Sequence, residues 1–360
     1  MADINIKRFV DVDIVQHVHP TIVGTRGTVV LYTGEGTNGT TQLVKSLSDA
    51  ASKYANAPTT LAYLKVFFEN GGVSALVVEG TPYSDVNSDV LSALDDKYIV
   101  VCYAAPKNDT ASVYTALKGI ATTRETNVNI YGVDEKIILA RTETVDSDSV
   151  KNFGVKYSKV LGAEMTIAAY LSQINVYKTN TVSDYMFTKE AITAETLTDT
   201  EYENIIGANC NVDVYLANSV RNMGGNLKNG ADLVNSYTLI VLHQTLTQRL
   251  LELLATKIKG SKGLAQIYAT IAQELEAYRS CGYLTTDKIW SEEDLVVTYN
   301  SQNYTVITKG TPLNSGYAIK VLPFSSLTVP DRTERKTPPI YVIIADQYGI
   351  RKITVNGEVI

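Results

Sequence analysis

Gly34-Glu35-Gly36-Thr37-Asn38-Gly39 is the stretch whose residue types and spacing come nearest to a known chemistry. It spells G-x-G-x-x-G after the apolar run 29–32 and before a helical pattern. That is the setting of a dinucleotide site, where glycines let backbone N–H groups approach a pyrophosphate at a helix N-terminus. The rest of the signature is missing. A further strand ending in an acidic residue about 20 positions on is replaced by Tyr54-Ala55-Asn56-Ala57-Pro58. As a phosphate loop the stretch is followed by Thr40-Thr41, with no lysine to reach the phosphates. It reads as a connecting loop, and a nucleotide-binding α/β enzyme using residues 34–39 stands as the alternative function. His17 and His19 can share one strand face, but two imidazoles without cysteine or acidic partners do not complete a metal site. His243 lies within an apolar helical stripe and reads as an interior or boundary histidine. The sequence has neither a G-x-S-x-G elbow nor an H-E-x-x-H helix, and no carboxylate pair is spaced for acid–base work. No catalytic residue, cofactor or metal is expected.

Composition narrows the function classes further. The net charge of −6, without a long basic run, argues against direct nucleic-acid binding, which draws most of its affinity from phosphate neutralisation. Cys102, Cys210 and Cys281 are far apart and odd in number, so they read as ordinary thiols of a reducing compartment. Met1-Ala2-Asp3-Ile4 lacks a charged segment leading into an apolar core, so no signal peptide is expected. No apolar run approaches the ~20 residues that span a bilayer. Tyrosine dominates the aromatics, 23 against 6 Phe and 1 Trp, which suits half-buried sheet faces and subunit interfaces. With 360 residues, 45% apolar, the chain should bury a core divided between two domains.

The elements that would position these residues follow from periodicity. Strands are expected at 29–32, 75–79, 98–103, 127–131 and 136–140, and helices at 43–54, 60–69, 86–94, 109–123 and 158–172. Such alternation implies an open α/β sheet. Residues 188–203, rich in Thr and Glu, read as surface loop, and 211–217 as a strand. Leu239, Leu242, Leu246, Leu250, Leu253 and Ile258 form one helical stripe, with Asn235 or Ser236 as its cap and Gly260 at its end. Leu264, Ile267, Tyr268, Ile271, Leu275 and Tyr278 form a second stripe ending at Gly282, making an antiparallel helix pair. Strands return at 295–299, 304–307, 317–322 and 341–345, with a charged loop at 331–336.

Both ends of the chain alternate like strands without a hairpin partner beside them. Val10, Val12 and Ile14 oppose Asp11 and Asp13, and Ile353, Val355 and Val359 alternate in the last segment. Unpaired strands expose backbone donors and acceptors that favour pairing with another chain. Segments 1–19 and 346–360 are therefore expected to be inter-subunit pairing arms. The expected division is 1–20 as the N-terminal β arm, 21–175 as an α/β outer domain, 176–340 as an inner α+β domain, and 341–360 as the C-terminal strand or arm.

The run Gly316-Tyr317-Ala318-Ile319-Lys320-Val321-Leu322-Pro323-Phe324, then Val329-Pro330-Asp331-Arg332-Thr333-Glu334-Arg335, Pro338-Pro339-Ile340-Tyr341 and the closing 349–360 strand resembles contractile tail sheath proteins. These occur in bacteriophage tails, phage-tail-like bacteriocins and related injection particles. Gly224-Gly225, Asn229-Gly230-Ala231-Asp232, the helix pair and Gly282 are similar to the same family's inner domain. The middle α/β region matches only in general character. Where the family often has an Asp leading into the long helix, this chain has Leu233-Val234-Asn235. It is also short for a phage sheath, as a minimal sheath would be.

The resemblance implies a non-enzymatic subunit that polymerises with itself into a helical tube of stacked hexameric rings and contracts. Arms from two copies would complete a sheet on a third. Asp331, Arg332 and Arg335 would belong to a family-motif loop. Implied partners are the tail tube, baseplate and tail terminator proteins, with no direct contact to nucleic acid or membrane. Synthesis in a bacterial cytoplasm and function in a virion tail or tail-like particle are implied with them. A tube protein would be smaller and mainly β, without the helix pair.

Overall fold

The computed structural model describes residues 29–94, 98–126, 136–256, 258 and 260–347. The expected strand at 127–131, both pairing arms beyond 347 and before 29, and His17 and His19 lie outside these residues. An eight-stranded sheet runs β2-β3-β1-β4-β5-β6-β7-β8. Its interior is β1 (Val29–Thr33), β3 (Ala75–Val78), β4 (Val100–Ala104), β5 (Ile137–Thr142), β6 (Phe153–Tyr157) and β7 (Asn211–Leu216), joined in parallel. The edges, β2 (Thr41–Val44) and β8 (Ser219–Met223), are antiparallel to their neighbours. Every residue of β1, β4 and β5 is buried, because helices cover both faces of the sheet.

Val29 and Leu31 point to one face, under α1 (Leu47–Lys53), α2 (Pro58–Glu69), α5 (Met165–Gln173) and α7 (Leu233–Ala255). Val30 and Tyr32 point to the other, under α3 (Ser88–Ser92), α4 (Thr110–Thr126) and α6 (Asp199–Gly207). Helix α7 is buried on all sides from Leu233 to Leu242 and pairs along its length with α8 (Gly260–Ser280). Beyond α8 come two hairpins, β9 (Leu295–Tyr299) with β10 (Gln302–Ile307), and β11 (Tyr317–Val321) with β12 (Ile340–Ile344). The one-turn helix α9 (Val329–Thr333) lies between the last two strands.

Several expectations change. The 43–54 segment is strand β2 followed by helix α1, split where Ser46 accepts from the Asp49 N–H as an N-cap. The 158–172 helix begins only at Met165, and 153–157 is an unanticipated strand. The 188–203 stretch holds the start of α6, closed by a Thr198–Glu201 capping box. Asp232, rather than Asn235 or Ser236, caps α7 by accepting from the Asn235 N–H at 2.8 Å, so the acidic lead-in residue is present. Gly260, at φ +54°, opens α8, while α7 ends at Ala255 with Thr256 as its C-cap. The division at 175 falls inside the sheet, since β7 and β8 extend it and one core cluster joins Val29 to Val342 and Ile344. Residues 341–344, the start of the expected 341–360 arm, pair with β11 of the same chain.

Candidate functional site

In a parallel sheet the ligand crevice opens at the carboxyl ends of the strands where the strand order reverses, here between β1 and β4. The chain fills that place with its own groups. The Glu35 carboxylate accepts from the Thr59 N–H (3.1 Å), the Thr60 N–H (2.8 Å) and the Thr60 hydroxyl (2.7 Å), so it sits on the N-terminus of α2 where a phosphate would bind. Burial alone would raise the Glu35 pKa, but these bonds hold it below the ordinary carboxylate range. Thr33 and Thr60 join hydroxyls at 2.8 Å, and Ala105 donates its N–H to Tyr63 OH at 3.1 Å. The glycines have a packing reason. A Cβ on Gly36, at φ +86°, would lie 2.5 Å from Glu79 Oε2, and one on Gly80, at φ +62°, would lie 2.3 Å from the Asn38 nitrogen. Glu79 in turn accepts from Thr37 N–H, Gln42 and Tyr54.

Among the described residues, no group of three or more His, Cys, Asp or Glu is placed to hold a metal, and no helix is long and apolar enough to cross a membrane. Cys102, Cys210 and Cys281 are buried thiols, and burial raises the pKa of each. His243 is half-buried on α7.

The densest polar cluster is a buried cation that sequence reading missed. Lys156 Nζ, on β6, reaches Asp213 Oδ1 (2.8 Å), Glu190 Oε2 (3.0 Å), Asn222 Oδ1 (3.0 Å) and Tyr185 OH (3.2 Å), and Tyr185 also donates to Glu190. Burial and the neighbouring Glu190 charge push Asp213 up to about 8, against the pull of Lys156. Glu190 is raised by burial but lowered more by Lys156 and its hydrogen bonds, and ends below its ordinary value. The two acids share the one buried cation, with Asp213 shifted up and Glu190 shifted down. The cluster ties β6, β7, β8 and the 185–190 loop into one unit. Asn211 extends the tie by donating to Val155 O and Asn226 O and accepting from Gly225 N–H at 2.6 Å, which seats the glycine turn that leads into α7.

The expected pairing residues Val10, Val12, Ile14, Ile353, Val355 and Val359 lie outside the described residues. The β11–β12 hairpin is a separate two-stranded sheet, so the outer edge of β11 has no ladder partner among the described residues. Its faces are both packed: Val342 and Ile344 enter the main core, while Ile343 and Ala345 join Trp290, Ile307 and Leu313. Tyr317 OH donates to Glu276 of α8 at 3.0 Å.

Asp331 is the third residue of α9. With Thr328 it forms a capping box, and it also accepts from Tyr299 OH (3.3 Å) and Asn300 (3.4 Å) on the β9–β10 turn. These bonds, those from Thr328 first, lower its pKa to about 2. Arg332 lies in the last turn of α9, and Arg335 is exposed with φ +58°. The expected charged loop is thus a capped turn of helix that braces one hairpin against the other.

No family model and no curated protein matches the sequence. Solved structures share the fold. A chain of the 6-fold symmetrised cryo-EM structure of the anti-feeding prophage baseplate aligns at TM-score 0.61 and 13% identity, over 97% of this chain and 98% of that one. A chain of the same baseplate in the contracted state aligns at 0.62 and 14%, over 97% of each. The crystal structure of the sheath tail protein from Listeria innocua aligns at 0.52 and 10%, over 83% of this chain and 91% of that one. The chain therefore shares the fold of these structures, with a mixed sheet, a helix pair and separate hairpins.

Proposed function

We propose that this chain is a structural, non-catalytic subunit of a contractile tail sheath, which polymerises helically around a tail tube and contracts to drive the tube through a target envelope. The observation that carries this reading is the alignment of 97% of the chain with a chain of the anti-feeding prophage baseplate, including its contracted state. The open β11 edge supports it, because an arm that adds a strand there links two copies by main-chain bonds. Each such bond contributes only about 0.5–1.5 kcal/mol, but several per arm recur at every subunit. Head-to-tail contacts that do not close give a helix rather than a ring. In this reading segments 1–19 and 346–360 are the arms, and residues 21–175 and 176–340 turn outward and inward. Rings are hexameric, and the tube, baseplate and terminator proteins are partners of the assembled particle. Subunits rotate as rigid bodies on contraction while the strand links stay paired.

The test is deletion of 349–360 followed by negative-stain microscopy. The full chain should form hollow tubes and the deletion should form none; intact tubes from the deletion would reject the arms as the linkage. The alternative enzyme reading finds no support in the 34–39 loop, whose anion position is taken by Glu35. Titration calorimetry with ATP and NAD should give no saturable heat.

A further inference from the structure

The last described residues are held more firmly than a strand simply leaving a hairpin requires. Past β12, Ala345 donates its N–H to Gly316 O and accepts from Thr285 N–H at 2.9 Å, and Gln347 donates to Tyr283 O at 2.8 Å. Asp346 is 3% exposed, and Lys288 Nζ reaches both its carboxylate (3.0 Å) and its backbone oxygen (2.5 Å). Asn235, in the first turn of α7, donates to Asp346 Oδ2 (3.4 Å) and to the Gln347 backbone oxygen (3.2 Å). Two side chains from different parts of the fold therefore grip main-chain oxygens of two successive residues. Gln347 and Asn235 also line a cavity of about 210 Å³, together with Ser183, Asp184, Asp232 and Gly282.

We propose that Lys288, Asn235 and Asp346 form an anchor at the point where the chain leaves the body. Pull on residues 348–360 is then shared by buried helix α7, through Asn235, and by the segment carrying Lys288, instead of falling on the β11–β12 hairpin alone. The proposal rests on reading those residues as a segment paired with a second copy of this chain. Main-chain oxygens held by an ammonium and an amide resist pull along the strand, since charge-assisted bonds are the stronger kind. The three residues are positioning residues for the link, and the partner is another copy of the same subunit.

Two measurements on the full-length chain separate the anchor from the function reading. In dissociated subunits, hydrogen exchange at the Gln347 amide should quicken in Lys288→Met and Asp346→Asn and stay slow in Lys288→Arg. Lys288 is one-third exposed, so its replacement leaves the core folded even where Asp346→Asn does not. In a pelleting assay, Lys288→Met should raise the concentration needed for tube formation roughly tenfold, the consequence of one lost charge-assisted bond per link, and Lys288→Arg should restore it. Unchanged exchange in Lys288→Met would overturn the anchor, and quickened exchange with wild-type pelleting would overturn its role in the link. If exchange behaves as expected but the wild-type chain forms no tubes, the sheath reading fails, and the anchor's role in a link fails with it.

Discussion

Glu35 shows how a residue type can suggest one chemistry and perform another. Its carboxylate takes the N-terminus of α2, so the G-x-G-x-x-G spacing serves a tight internal turn. Glu35→Ala should lower stability by about 1–2 kcal/mol, the usual loss for a helix cap, read as a lower thermal midpoint. The Glu35 pKa is lowered in the fold, so its contribution is present above the unfolded value of 4.5 and is lost as pH falls below it. Lys156 sets a larger effect. Lys156→Met leaves two buried acids without their cation and should cost about 3–5 kcal/mol in denaturant unfolding.

The same cluster gives a pH signature of the opposite sign. Asp213 is raised to about 8 from its ordinary value of 3.8. Its contribution is fully present below the unfolded value and is lost as pH rises through the folded one, because the folded state binds the extra proton in between. The Asp213 contribution should therefore fall between about pH 4 and pH 8, and Asp213→Asn, which cannot ionise, should give a shallower curve than the wild type over that range. Parallel curves for the two proteins would contradict a proton on Asp213.

At the scale of elements, the legible parts were those buried by hydrophobic contact. Runs such as Val29-Val30-Leu31-Tyr32 and Ile137-Ile138-Leu139-Ala140 mark fully buried parallel strands, and the leucine stripes mark α7 and α8. Strands β6 and β8 escaped because polar groups stabilise them. Lys156 in β6 is buried only through partners 29 to 66 residues away, and Arg221 and Asn222 break any alternation in β8. Such partners are invisible to a local pattern. Helix α6 was readable, since Thr198 followed by Glu201 is a capping-box signature. The open β11 edge was not, because unpaired strands are known only once the pairing is seen.

The brace around Asp331 has its own test. Thr328→Ala removes one half of the α9 capping box and should cost about 1 kcal/mol locally. Limited trypsin digestion should then cut faster at Arg332, Arg335 or Lys336, with the rest of the chain unaffected. An unchanged cutting rate would mean that the box does not hold this turn.

Over the whole molecule, one hydrophobic core runs from the central strand β1 to hairpin strand β12, and the sheet crosses residue 175 without a break. The body should therefore unfold as one unit, in a single denaturant transition by both tyrosine fluorescence and circular dichroism. Two separated transitions would support the expected division at residue 175. Under the proposed sheath reading, a body of this kind would turn as a rigid unit. The central claim is that the terminal segments are the linkage. The most direct measurement is cryo-electron microscopy of the assemblies formed by the purified full-length chain. The account predicts open hollow tubes in which residues 349–360 of one copy lie as a strand in the sheet of another copy, beside β11 or β12. Compact closed oligomers, or tubes in which 349–360 pair only within their own subunit, would contradict it.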